Sequence, residues 1–388
     1  MKSEWKTIRA DEFCSLVTDG THDSPKPQAA GRKLITSKHL KGYYLDFESA
    51  NWISSEDYEK VIARSSVEQW DILYSMIGTI GNVYLEKNPV VDYACKNVGI
   101  FKFGGNCNKA YWMYYYLKSP QAMEFIKAHL RGTTQLYVPL ATLREMPVPV
   151  PDEEEMNKIV AILRTLDDKI QCSIKINDNL EQQAAALFSS LYNRSNTEVR
   201  YTDLIQILGG GTPKTGETAY WNGNIAFFTP KDVGTPYTFI TEKTITEEGL
   251  SHCNSRLYPV NTVFVTARGT VGKVGLSGIP MAMNQSCYAL VGKETHQLLV
   301  YFYTLKAVDR LKHKASGAVF DAITTRDFDS EQIMKLSDDD AKAFLCVAEP
   351  MFQEMLNNSI ENLRLSTLRD FLLPKLMSGE IDVSSVQL

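Results

Sequence analysis

The sequence predicts an α+β protein, in which two copies of one mixed α/β domain alternate with two long helices that pair antiparallel as a coiled coil. Three observations predict it. Short motifs recur in order at a separation near 190 residues. Two stretches carry apolar residues at alternating spacings of three and four, the seam of a coiled coil. The rest consists of short β-branched runs interrupted by Gly- and Pro-rich turns.

The duplication sets the domain order. Ile8-Arg9, Glu12, Leu16-Val17 and Asp19-Gly20-Thr21 align with Val199-Arg200, Asp203, Ile207-Leu208 and Gly210-Gly211-Thr212, at an offset of 191. Ser75 to Val83 falls on Thr266 to Val274 at the same offset, and Thr36-Ser-Lys38 matches Thr229-Pro-Lys231 at 193. Further along, Lys96-Asn97 faces Met283-Asn284, and Tyr116 within its tyrosine run faces Tyr303. A period this long exceeds the ~20–50 residues of solenoid repeats, so each unit is a domain with an appended helix. The resulting boundaries are a first domain at 1–150, a helix at 151–195, a second domain at 196–337, a helix at 338–378 and a tail at 379–388.

Within the domains, Val98–Phe103 and Asn261–Ala267 read as strands, and Lys109–Leu130 and about Thr295–Lys314 as helices. From Glu153 to Tyr192 there is no Gly or Pro. Met156, Ile159, Leu163, Leu166, Ile170, Leu180, Ala184, Leu187 and Leu191 form its seam, with Ser173 and Asn177 the polar members. The second helical stretch carries Leu345, Phe352, Leu356, Ile360, Leu363, Thr367 and Phe371. Pro350 predicts a short helix ending before it and a long one starting there, closed by Pro374 and Gly379. Helices of ~28–40 residues span ~42–60 Å, and each leaves an apolar stripe that the other covers. Intermolecular dimerisation is the alternative, but the duplication supplies both partners in one chain.

Net charge is -5, which argues against a strongly basic nucleic-acid binder. Its distribution softens the objection. The two helical segments hold the acidic excess, at -3 for 151–200 and -5 for 338–388. The domains are near neutral, at +2 for 1–150 and +1 for 201–337. Seven widely spaced cysteines without a CxxC pair point to reduced thiols in a cytoplasmic protein. No apolar run is long enough to span a bilayer and no secretory signal is visible, so no membrane partner is expected.

Gly209-Gly-Gly-Thr-Pro-Lys-Thr, Tyr220-Trp-Asn-Gly and Phe228-Thr-Pro-Lys-Asp-Val233 resemble the opening of a target-recognition domain in type I restriction-modification specificity subunits. Arg268-Gly-Thr-Val-Gly-Lys273 and Asn284-Gln-Ser286 resemble that family's central motifs. Pro147–Pro151 leading into Ile159–Leu163, and Leu368-Arg-Asp-Phe-Leu-Leu-Pro-Lys-Leu-Met-Ser-Gly-Glu-Ile381, are similar to its helix entry and its end. The first domain departs most, with Asp19-Gly-Thr-His22 where the second has three glycines. The resemblance implies a non-catalytic subunit that reads an asymmetric bipartite sequence in double-stranded DNA, one domain per half-site. It also implies two docked modification (methyltransferase) subunits and, in the restriction enzyme, translocase-nuclease subunits. No cofactor is expected on this chain, S-adenosylmethionine, ATP and magnesium being needed only by the partners.

Gly-rich loops bearing Thr, Lys and Arg let backbone approach phosphates, which nominates Thr21, Lys38, Thr212, Lys214 and Lys231. The turn containing Gly78 and Asn82, and its counterpart containing Arg268 and Lys273, are further candidates. Asn, Gln and Arg suit bidentate contacts with base edges, which adds Asn97, Asn284, Gln285 and the loop of Arg131, Thr134 and Gln135. The plainer reading is that these glycines only make strand-to-strand turns and that the asparagines are structural.

Enzyme motifs are absent. In Gly269-Thr-Val-Gly-Lys273 the first Gly of a phosphate loop falls on Ala267, and Val274 stands where Ser or Thr is required. Six histidines show no zinc spacing. The acidic runs at 152–155 and 338–340 read as helix N-terminal charges. A duplicated non-enzymatic assembly scaffold is the competing reading, and a nuclease with a diffuse site is the weakest.

Overall fold

The computed structural model describes residues 5–234, 236–314 and 322–386. Its contacts divide the chain into two compact units, residues 1–170 with 364–388, and residues 171–363. Each unit therefore holds one domain and a part of each long helix.

The first unit opens with Lys6–Arg9 paired antiparallel with Pro147–Val150, which closes the domain at its own exit. A four-stranded sheet follows in the order Leu16–Asp19, Val98–Lys102, Ile72–Ser75, Val83–Leu85. A three-stranded sheet has Arg32–Thr36 at its centre, antiparallel to Asn51–Ile53 and parallel to Tyr93–Lys96. The mixed character predicted from sequence lies in that parallel pair. The helical stretch after Lys109 is divided, Cys107–Leu117 and Pro120–Ala128. Pro120 lacks the donor to continue the first helix but suits the first turn of the next, which Ser119 caps. Cys107–Leu117 is buried along most of its length, with Trp112 fully enclosed and its Nε1 donating to Pro149 O at 2.9 Å.

The second unit repeats this plan. Thr197–Arg200 pairs with Gln332–Lys335. The larger sheet runs Ile205–Gly209, Cys287–Gly292, Val263–Thr266, Val274–Ser277, with the short strand Tyr237–Thr238 added in parallel at the edge. The smaller places Trp221–Phe228 between Lys243–Ile245 and Met281–Met283. Strand order thus matches in both units, and the helix Gln297–Lys314 stands where Cys107–Leu117 does.

The first long helix spans Glu153–Arg194 and the second Asp338–Met377. Their first turns are Glu153–Glu155 and Asp338–Asp340, beside side-chain caps from Asp152 and Ser337, so these carboxylates face helix N-termini. The helices run antiparallel within each unit. In the first, Met156, Ile159, Val160 and Leu163 share a core with Leu373, Leu376 and Met377. In the second, Arg194 bonds Asp340 at 2.5 Å, and Asn177 meets Asn358 at 2.9 Å. Asn177 also donates to Met355 O and Ser359 Oγ, so the polar member of the seam is satisfied across the pair.

Three expectations about the helices are corrected. The second helix is continuous through Pro350, with no break there. Phe344, Ala348, Phe352 and Met355 on both sides of the proline lie in one core, and their burial outweighs the ~3 kcal/mol an interior proline costs. Pro374 lies inside the last turns. The helix closes at Gly379, φ +66°, with Glu380 N bonded to Lys375 O and Gly379 N to Leu376 O, the Schellman arrangement. The seam is also shifted: Phe188 and Phe344 are fully buried beside half-buried Leu187 and Leu345, and Phe371 is 59% exposed. A helix turning 3.6 residues drifts from a strict heptad, and these helices must also face the domain. Phe188 does so, stacking on Phe302 at 5.0 Å.

Candidate nucleic-acid interface

The strand-to-strand turn after Ser75 shows how the sequence builds the candidate loops. Ser75 is fully buried, and its Oγ donates to Thr79 O at 2.5 Å while accepting from Asn82 N at 2.7 Å. Thr266 does the same, donating to Thr270 O and accepting from Lys273 N at 2.9 Å. One buried hydroxyl thus staples each turn from inside. Gly78 and Gly81, like Gly269 and Gly272, have positive φ, which L-residues with a Cβ adopt at a cost. Each candidate loop is therefore also a strand-to-strand turn, held from inside and exposed at its tip.

In the first unit the nominated residues converge. Thr21 N donates to Cys95 O and Asn97 N to Thr21 O, which joins the Thr21 loop to the Asn97 turn. Lys38 is exposed in the short helical turn Ser37–His39, whose Ser37 Oγ bonds Asn97 O at 3.1 Å. Asn82 Nδ2 donates to Leu40 O at 2.8 Å, so this amide ties Gly78's turn to the same loop and is spent on structure. The exposed loop of Arg131, Thr134 and Gln135 joins the group through bridges from Tyr137 to both Arg131 and Ile77. Gly132 cannot be substituted there, because a Cβ would sit 2.3 Å from Gln135 O.

The second unit gathers its candidates likewise. Arg268 N bonds Ser286 O, and Thr270 Oγ1 bonds Pro230 O, so the Arg268 turn contacts the segments of Asn284–Gln285 and of Lys231. Thr212 Oγ1 donates to Gln285 Oε1. Gly210 packs so closely on Asn284 that a Cβ would sit 2.1 Å from its carbonyl oxygen. Arg268 and Lys273 are exposed, and the Arg268 side chain has no partner among the described residues. Lys231 is exposed beside Glu242 at 3.5 Å. Lys214 is brought in least, its loop held through Trp221 Nε1 on its carbonyl at 3.1 Å.

Sequence reasoning missed several residues. His22 lies between Asp19, 3.0 Å from Nε2, and Asn97 Oδ1, 2.8 Å from Nδ1. Asp19 is 2% exposed and also binds Arg64 at 2.7 Å. His39 is buried beside Lys38, its Nδ1 accepting from Thr36 N at 2.9 Å. Burial, reinforced by the Lys38 charge, holds the His39 imidazole below its ordinary value. The departure of Asp19-Gly-Thr-His22 from the triple glycine was the available signal. Among the described residues no group of three or more His, Cys, Asp or Glu side chains is placed to hold a metal ion, and no helix is long and apolar enough to cross a membrane.

Known proteins match this architecture. The profile of the type I restriction modification DNA specificity domain fits twice, at residues 2–182 and 193–335. The HindI specificity subunit of Haemophilus influenzae is 24% identical, over 82% of this chain and 88% of its own. The MjaIX specificity subunit of Methanocaldococcus jannaschii is 23% identical, over 91% and 87%. The crystal structure of a type I restriction-modification S subunit from M. genitalium shares the fold, with a TM-score of 0.57 at 15% identity, covering 97% of this chain and 99% of that one. With two copies of the specificity domain over most of its length, built on one repeated strand order, the chain belongs to the type I restriction-modification DNA specificity family.

Proposed function

We propose that the chain is the non-catalytic address of a type I restriction-modification complex, each domain reading one half of an asymmetric bipartite DNA target. The observation that carries this is the repetition of one hydroxyl-stapled turn, with a neighbouring Asn loop, on the same strands of both units. The scaffold repeats but the side chains differ, half-buried Ile77 and Asn82 in one copy standing where exposed Arg268 and Lys273 stand in the other. Identical frames with different tips suit two unlike half-sites.

In this reading the turns and loops of Thr21, Lys38, Gly78, Asn97 and Arg131, and of Thr212, Lys231, Arg268 and Asn284, approach phosphates and base edges. Modification subunits dock on the helices and adjoining domain faces, and restriction subunits join them. S-adenosylmethionine, ATP and magnesium belong to those partners, and the assembly works in the cytoplasm. The near-neutral domains supply too little charge for tight binding alone, so partner subunits provide part of the phosphate contact.

Selection from a random-sequence duplex library tests the reading, using the chain assembled with its modification subunit. Enrichment of two unlike half-sites around an unread spacer supports it. A library that stays random, with assembly verified, favours the duplicated scaffold.

A further inference from the structure

Resting on that DNA-reading function, we propose that Asn97 is the base-selecting side chain of the first domain, and that His22 orients it with Oδ1 turned inward and the Nδ2 amino group outward. The domain would then select a base edge offering an acceptor at that position.

The geometry is built from the backbone outward. Asn97 adopts φ +52°, a left-handed conformation that Asn tolerates better than other side chains. Its N–H donates to Thr21 O at 3.1 Å and its carbonyl accepts from Ser37 Oγ at 3.1 Å. Only the side-chain torsions remain free. His22 removes that freedom, because its Nδ1 lies 2.8 Å from Asn97 Oδ1. The ring is anchored in turn by Asp19, 3.0 Å from Nε2, and Asp19 by Arg64 at 2.7 Å. Asp19 and Asn97 Oδ1 both accept, so the proposed orientation is that of the imidazolium, which donates from both ring nitrogens. Asp19 is enclosed while His22 is well exposed, so the relay runs from the domain interior to its surface. The Nδ2 group has no partner among the described residues.

The second copy makes the same choice by another route. Asn284 occupies the repeat position of Asn97, and its Oδ1 accepts from Ser286 N at 3.0 Å. Pro213 stands at the repeat position of His22, so no ring can act there and the backbone does the holding. In both copies the amide oxygen is satisfied from within, which leaves an amino group as the outward atom. Amide nitrogens of this kind donate to purine N7, guanine O6 or thymine O4 in the major groove.

The test uses library selection by the chain assembled with its modification subunit, in wild-type form and as three variants. Asn97→Asp keeps the size and the acceptor toward His22 but replaces the outward donor by an acceptor. It should change the selected base at one position of one half-site and leave the other half-site as it was. His22→Ala should relax that same position by about tenfold in discrimination, and His22→Gln, which can still donate to Asn97, should restore part of it. A wild-type motif selected unchanged by Asn97→Asp would overturn the proposal, as would His22→Ala that only weakens binding evenly at all positions. Should the wild-type complex select no motif at all, the DNA-reading function itself fails, an outcome distinct from either.

Discussion

Arg369 Nη1 lies 2.8 Å from Asp167 Oδ1, joining the second long helix to the first inside one compact unit with both side chains nearly buried. Tyr43 OH and Tyr115 OH donate to the same carboxylate at 3.0 Å each. Burial, with the Asp167 charge alongside, pushes both phenols above their ordinary values, so they stay neutral donors. The domain, through Tyr43 and Tyr115, is thus locked to both helices at one carboxylate.

Removing one side of this pair leaves a buried charge. Arg369→Met should cost about 3–5 kcal/mol, toward the lower end because the two hydroxyls still serve Asp167. Urea unfolding of the full chain checks it. Adding Asp167→Asn should recover at least half of the loss, since no unpaired charge then remains, and no recovery would show that the pair acts through something other than charge.

The hydroxyl staple predicts a local effect on the second domain. Thr266→Val keeps the shape but leaves Lys273 N–H and Thr270 O without their partner, at about 1–3 kcal/mol. Thr266→Ser keeps the hydroxyl and loses only one buried methyl group, so it should cost about 0.5–1.5 kcal/mol, less than Thr266→Val. Thermal melts of both variants decide.

His39 gives a pH dependence. Its folded pKa is lowered, by burial first and Lys38 next, so its contribution is complete above the ordinary imidazole value, ~6.5. Below that value the unfolded chain takes up the proton first, and stability is lost as pH falls through the folded value. His39→Gln should flatten the fall between pH 7.5 and 5 in melting temperature. An unchanged slope would place the acid sensitivity elsewhere.

Arg268→Ala should weaken complexes with DNA by about 1–3 kcal/mol and relax one half-site only, if the exposed guanidinium reads a guanine. Binding titrations on a selected duplex and on single-base variants of it measure both effects. Equal affinity and selectivity would remove Arg268 from the interface.

Much of the fold was legible because duplication doubles every signal. The offset of 191 that aligned Ser75 with Thr266 also aligned two stapled turns, and the glycines marked where φ turns positive. Pro350 misled because local propensity is weighed against a core that sequence alone does not display, four buried side chains against one lost hydrogen bond. Phe371 misled because a heptad seam was extrapolated past Arg369, where a charged side chain takes the buried position. The site was legible as segments but not as roles. Asn82 and Asn97 look alike in sequence, yet Asn82 commits its Nδ2 to Leu40 O, whereas Asn97 engages only its Oδ1, at His22. Long-range partners such as Arg64 for Asp19, 45 residues apart, leave no local pattern to read.

Sequencing of methylated adenine across the host genome, with this gene intact and deleted, tests the central claim most directly. Deletion should remove one asymmetric bipartite motif, both halves together, while other methylation persists. An unchanged methylome, with the modification gene shown to be expressed, would contradict it.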